Sequence, residues 1–581
     1  MAKTDIIFLH PPTVYDFRKL PILHGPISDV IPSTPIFEMY PVGFTSLSEF
    51  LERHGIKTRI INVAMKMLKS KTFDVEKMIK KLNPTAFAID LHWMPHVNGS
   101  IALANIIKRY HPETPVIFGG FSSTYYHKEL IQRYPQIDYV VRGDSTEEPL
   151  LQLINAIKNN KSVENIPNIT WRGKNGKVNV NPFSYVPETL NNVVIDYSLI
   201  MKKVVRFRDL VGYLPFFNWS SYPITAVFTC RGCTHNCRTC GGSAKSFSKW
   251  FNRKRPAYRS PELLAEDIYQ ISRHLGGPIF IIGDITQPGE DYYKRLLLAL
   301  KPLKIKNHLV FEFFKPPEDK VLEAIRDAVK NVNVEISPES HDEKVRKAFG
   351  RPYNNHELEH MIKKMVELDF KRIDLFFMIG LPYQTYDSVM GTVEYSDYLL
   401  SMFGNKKTLF PFISPLAPFL DPGSIVFENP EKFGYHLFYK SVEEHRLALL
   451  NPSWKMVLSY ETKWMKRDEI AKASYEAGLR LNRIKAKYGL ITKEKAEATE
   501  KRIKNAVEVM KKIDEIQKIK DETKRQEKLK KLGITVERYN MNTICEKSEL
   551  SWPVELIKLK IFRIIKTIFS HRSPNVLEVK D

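Results

Sequence analysis

Five cysteines occur in 581 residues, and four of them, Cys230, Cys233, Cys237 and Cys240, fall within the short run from Thr229 to Gly242. Thiols at such spacing are metal ligands in waiting. Read as two Cys-x2-Cys pairs they would hold zinc. Structural zinc sites, however, keep their pairs about twelve or more residues apart, so that the chain can wrap the ion tetrahedrally. Three residues between the pairs leave no room for that loop. Read as Cys-x3-Cys-x2-Cys, Cys233, Cys237 and Cys240 can take three corners of a [4Fe–4S] cube from one compact loop, leaving the fourth iron open to a ligand. Cys230 is then the odd one out, and Cys545 an ordinary lone thiol.

Two sets of alternating strand and helix patterns flank that loop. Upstream, apolar runs at Ile6–Leu9, Thr58–Val63, Ala86–Ile89, Val116–Gly120 and Tyr139–Gly143 alternate with helical patterns at Gly43–His54, Asp74–Leu82 and Ser100–Tyr110. Such units predict a doubly wound parallel sheet, whose ligands sit at the carboxyl ends of the strands. Ser122-Ser123-Thr124 and Gly143-Asp144-Ser145-Thr146 fall there. Residues 160–225 read as irregular, with hairpin signals at Gly173 and Gly176. Downstream, strands are expected at Ile279–Ile282, Leu309–Phe313, Val332–Ile336, Arg372–Ile379 and Leu409–Ile413. A Lys/Glu-rich helical pattern then runs from Arg467 to Leu532. The expected division is 1–190, a linker at 191–220, 221–430 and 431–581.

So few cysteines exclude a secreted disulfide scaffold. No stretch approaches the roughly 18–20 apolar residues that cross a bilayer, and the start runs directly into a strand. These features predict an intracellular, reduced protein. A net charge of +22 and a pI near 9.4 suit an anionic partner such as a phospholipid surface or nucleic acid.

The cysteine spacing after an apolar strand and Arg231-Gly232 resembles the signature of the radical S-adenosylmethionine (SAM) superfamily. The resemblance implies a partial (β/α)6 barrel holding a [4Fe–4S] cluster and SAM. Gly283 and Asp284 would receive the SAM amino group, Glu335, Ser337, Glu339 and Arg346 would hold its ribose side, and Ile379 and Gly380 would pack along adenine. It also implies reductive cleavage of SAM to a 5′-deoxyadenosyl radical by an electron donor such as ferredoxin or flavodoxin. The first 190 residues resemble the B12-binding domain that precedes many such enzymes, through Pro11-Pro12, Tyr40-Pro41-Val42-Gly43, Phe118-Gly119-Gly120 and Val141-Arg142-Gly143-Asp144. Cobalamin occupancy stays open: Asp90-Leu91-His92 starts like a lower-ligand motif but lies at a later strand, with Pro95 where glycine is usual.

The substrate is read from the C terminus. From Pro553 to Phe569, Val554, Ile557, Ile561, Ile564, Ile565 and Ile568 recur at helical spacing beside Lys558, Lys560, Arg563 and Lys566. Such a helix fits a membrane interface, a docked terminal helix or a dimer contact. With the segment from Asp29 to Pro41, the chain most resembles archaeal tetraether-lipid ring synthases. That resemblance implies cyclopentane ring formation in a membrane lipid, with peripheral attachment to the inner face of the cell membrane. The alternatives are a cobalamin-dependent C-methylase and a tRNA-modifying enzyme. The latter lacks the N-terminal cluster cysteines and β-barrel tail of its class.

Overall fold

The computed structural model describes residues 4–20, 36–173, 175–415, 419–536, 544–545, 547–555 and 558–569; the expected motif stretch 29–35 and Leu556 and Ile557 lie outside them. The first sheet comprises β1 (Ile6–His10), β2 (Thr58–Asn62), β3 (Ala86–Asp90), β4 (Val116–Gly119) and β5 (Tyr139–Val141), all parallel in the order β2-β1-β3-β4-β5. Helices cover both faces, so these strands are near-continuous apolar runs; every residue of β1 is buried. Order reverses between β1 and β3, which opens a ligand crevice at their carboxyl ends.

Residues 160–225 are more ordered than their composition suggests. The glycine-marked hairpin forms β6 (Ile169–Arg172) and β7 (Val178–Val180), which add antiparallel to β5. A helix follows at Tyr197–Phe207, capped by Asp196, whose carboxylate accepts from Ser198 N–H. Lys203 on this helix is buried and donates to Glu52 Oε1 (2.5 Å) and Thr58 Oγ1 (2.5 Å), pinning it to β2.

β8 (Thr225–Phe228) leads to a small antiparallel pair, β9 (Cys230–Arg231) and β10 (Ala257–Tyr258). β11 (Ile279–Ile282), β12 (Leu309–Phe313), β13 (Val332–Glu339), β14 (Arg372–Ile379) and β15 (Leu409–Pro415) then complete a six-stranded parallel sheet, ordered β8-β11-β12-β13-β14-β15. This is the expected partial barrel. β13 runs three residues further than its apolar pattern, with a register shift between Ile336 and Glu339 where it pairs with β14.

The C-terminal region is helical, at Arg467–Lys487, Lys493–Gln517 and Glu522–Val536. It also carries an antiparallel pair, β16 (Tyr435–Leu437) and β17 (Tyr460–Thr462). The tail corrects one expectation. Pro553 does not start a helix: Glu555 N–H donates to Gly276 O (2.9 Å), Gly276 N–H donates to Lys558 O (2.8 Å), and the helix begins at Ile561. Just before, Trp552 enters the amino end of the barrel, where its Nε1–H donates to Asp374 Oδ2 (2.6 Å) and its N–H to Tyr222 Oη (2.9 Å).

Candidate cluster and cofactor site

The cysteine loop leaves β9 above the carboxyl end of β8. Thr229 donates to Ile282 O (2.8 Å), fastening the loop to the next strand. Gly232 has φ +103° and Gly350 φ +117°. A Cβ on Gly350 would stand 2.9 Å from Asn236 O, so glycine there lets the helix Glu343–Phe349 end directly on the loop. Arg238 N–H donates to Phe349 O (2.8 Å) at the same junction. Two peptide N–H groups point at sulfur, His235 to Cys233 Sγ and Gly242 to Cys240 Sγ, each at 3.3 Å. Asp421 accepts from Gly241 N–H (2.9 Å) and braces the loop from below.

Burial pushes the Cys233 thiol up to about 11 and Cys230 to about 12, and raises Cys237 and Cys240, with Arg351 countering at Cys237. The thiols of Cys233, Cys237 and Cys240 also act on one another electrostatically. Among the described residues, no three His, Cys, Asp or Glu side chains converge on a point that could hold a single metal ion. A cube asks less, since each thiolate binds its own iron. Three thiols on one loop, with peptide donors on two sulfurs, fit that demand.

Above the lumen, Gly283 (φ +94°) donates its N–H to Glu312 Oε2 (2.8 Å), and a Cβ there would lie 2.4 Å from Thr229 Oγ1 and 3.2 Å from Cys230 Sγ. Asp284 is buried and accepts from Thr286 N–H (2.8 Å) and Phe314 N–H (3.1 Å), so its carboxylate shapes the turn. Glu335 stands in register between Glu312 and Asp374, a carboxylate on each of three adjacent strands. Burial, then these neighbours, raises the Glu335 pKa.

Glu339 lies at the end of β13 with φ +71°, beside Arg351 (3.4 Å). Its Oε2 is buried without a hydrogen-bond partner among the described residues. Burial lifts its pKa to about 7 against the pull of Arg351. A strained backbone and an orphaned carboxylate oxygen beside the cysteine loop fit a polar ligand such as SAM. Ser337 is part-buried two residues earlier.

Arg346 is fully buried, and its guanidinium donates to Pro338 O (3.2 Å), Ser340 O (2.7 Å), Tyr353 O (3.0 Å) and Asn355 Oδ1 (2.6 Å), which makes it a brace of this corner. Ile379 is buried. Gly380 (φ +97°) donates to Gln384 Oε1 (2.8 Å) and accepts from Tyr435 Oη (2.7 Å), so the turn after β14 is rigid.

Sequence reasoning did not single out Glu312 or Arg351. An acid inside the apolar run Leu309–Phe313 was the available signal for the first. It also missed the junction between the two sheets. Arg231, next to Cys230, makes a bidentate buried pair with Glu147 of the first domain (2.8 and 2.6 Å). Arg253 pairs with Asp144 and donates to Ser145 Oγ (3.1 Å). The loop after β5 thus clamps the cysteine loop. At the neighbouring strand ends, Ser123 Oγ is buried without a partner among the described residues. His92 packs on Phe121 (4.7 Å) and Trp93 (4.5 Å), and burial lowers its pKa to about 4, keeping the imidazole neutral. An orphaned hydroxyl and a neutral imidazole at the carboxyl end of a doubly wound sheet fit a corrinoid.

Comparison with known proteins agrees with this architecture. Residues 30–151 match the B12 binding domain and residues 227–396 the radical SAM superfamily. Cytidylyl-2-hydroxyethylphosphonate methyltransferase of Streptomyces wedmorensis is 21% identical over 386 residues, 59% of this chain and 69% of that protein. Anaerobic magnesium-protoporphyrin IX monomethyl ester cyclase of Synechocystis is 25% identical over 173 residues, 30% of this chain; the chain spans only 31% of that relative's length. Among solved structures, the methyltransferase TsrM of Kitasatospora setae, with cobalamin and a [4Fe–4S] cluster bound, superposes with TM-score 0.58 at 13% identity, covering 83% of this chain and 89% of that one. OxsB with aqua-cobalamin and SAM bound gives 0.52 at 13% identity, covering 93% and 72%. The chain thus carries a radical SAM domain with a B12-binding domain ahead of it, and the cofactors are accordingly a [4Fe–4S] cluster and SAM.

Proposed function

We propose that this protein is a cobalamin-dependent radical SAM methylase acting on an unactivated carbon. The observation that carries the reading is the clamp between the two sheets. Arg231 and Arg253 reach from the cysteine region to Glu147 and Asp144, so the strand ends of the B12-type domain face the cluster loop across a buried, ion-paired junction. The likeness to TsrM covers 83% of the chain and so reaches both domains, and the phosphonate methyltransferase matches over 59% of it. The tetraether ring-synthase expectation found no support among the relatives and yields to the methylase alternative.

In this reading Cys233, Cys237 and Cys240 hold the cluster. Gly283, Glu312 and Glu339 orient SAM over it, while His92, Gly119, Gly120 and Ser123 border the corrinoid. Bound together, these groups supply radical formation and a transferable methyl. The chain contributes exclusion of water: Trp552 closes the amino end of the barrel, and the clamp closes the junction. The Ile379–Gly380 turn, held by Gln384 and Tyr435, offers a fixed wall for adenine.

The test is anaerobic purification of the full chain from cells supplied with cobalamin, followed by SAM and a low-potential reductant. Retained cobalamin together with released S-adenosylhomocysteine is expected. A protein that makes 5′-deoxyadenosine yet retains no cobalamin would contradict the methylase reading and favour a cyclase.

A further inference from the structure

Among the described residues, the helix Ile561–Phe569 is docked on one side. It packs against the helices Tyr197–Phe207 and Pro261–His274. His274 Nε2 lies 2.8 Å from Thr567 Oγ1, and Lys560 Nζ donates to Ser272 O (2.7 Å). Successive residues turn by about 100°, so Ile564, Thr567 and Ile568 share the docked side, and all three are part-buried. Phe562 and Ile565 turn away from that side, 90% and 47% exposed, and Ile561 lies at its edge, 60% exposed. A phenylalanine nine-tenths in water is costly unless something covers it.

The charge around this arc says what the cover is. Lys558, Arg563 and Lys566 are exposed, and the sequence from Leu556 to Val576 contains no Asp or Glu. Among the described residues, none of these three cations has an ion-pair partner. Val205, on the neighbouring helix, is also exposed, followed in sequence by exposed Arg206 and Arg208. Apolar side chains ringed by unpaired cations complement a surface that is greasy inside and anionic at its face. Nucleic acid could stack on Phe562, but it would leave Ile561 and Ile565 in water, whereas the acyl boundary of a bilayer covers all three. No helix among the described residues is long and apolar enough to cross a membrane, so the contact is interfacial.

We infer that the exposed face of the helix Ile561–Phe569 docks this protein onto an anionic phospholipid bilayer, with Phe562 and Ile565 entering the acyl boundary and Lys558, Arg563 and Lys566 at the headgroups. The inference is independent of the reaction proposed above.

The test is flotation of the full chain with vesicles of phosphatidylcholine alone or mixed equally with phosphatidylglycerol. Binding only to the mixed vesicles, weakened by salt, is expected. Phe562→Asp should lower it about tenfold or more, and Lys566→Glu several-fold. Phe562 is so exposed that its replacement leaves folding, cluster content and unfolding midpoint unchanged. Binding that Phe562→Asp leaves intact would show non-specific charge adsorption and overturn the inference. So would a dimer in solution that Phe562→Asp dissociates, since the face would then belong to a second copy. Absence of vesicle binding by the unaltered chain, or its appearance only after removal of residues 570–581, would equally overturn it.

Discussion

Ligating and spectator cysteines separate cleanly on substitution. Cys233→Ala should leave the protein folded but strip nearly all of its iron and its broad visible absorbance. Cys230→Ser should keep both, because Cys230 lies outside the Cys-x3-Cys-x2-Cys spacing and its thiol bonds to Gly232 O (3.5 Å), a contact that a hydroxyl can also make. At the same scale, Glu339→Gln removes an acid held at left-handed φ with one oxygen unpartnered. SAM affinity, measured by equilibrium dialysis, should fall about tenfold with iron content unchanged, since a charged hydrogen bond contributes about 1.5–3 kcal/mol. Much of this was legible beforehand. The cysteine spacing marked the loop, and Gly283, Glu339 and Gly380 lie where the expected strands end, after β11, at the end of β13 and after β14. Arg346 shows the limit: a charged residue after a strand end gives no sign that carbonyls will take up its guanidinium.

Elements were legible where period and composition agreed, as in the parallel strands. They were less so where a partner distant in sequence decided the outcome. The amphipathic pattern from Pro553 is real, but Glu555, Lys558 and Leu559 pair through their backbone with Leu275 and Gly276, and the helix starts only at Ile561. Lys203 is another distant partner. Burial lowers its pKa from 10.5 to about 8, against the pull of Glu52. A depressed lysine means that the unfolded chain binds more protons between those values, so stability rises with pH from about 8 to 10.5 and is lost again as pH falls through 8. Urea unfolding of the unaltered chain should show that rise. Lys203→Met should lack it, and should also lose about 2 kcal/mol near neutrality from the stranded Glu52.

For the whole molecule, the junction between the sheets matters most. Its ion pairs join residues 84 and 109 positions apart, which no local pattern reveals. Glu147→Gln leaves the Arg231 guanidinium without its carboxylate in a buried place, a change that costs about 3 kcal/mol. Calorimetry should then resolve two unfolding transitions where the unaltered chain shows one. Iron content should hold, because the cysteines are untouched.

The central claim is that Cys233, Cys237 and Cys240 leave one corner of an iron–sulfur cube for SAM. Electron paramagnetic resonance of the reduced, anaerobically reconstituted chain, before and after SAM, tests it most directly. About four irons per chain and a cluster signal that shifts when SAM is added are expected. About one zinc per chain with no iron signal, or a cluster signal indifferent to SAM, would contradict it.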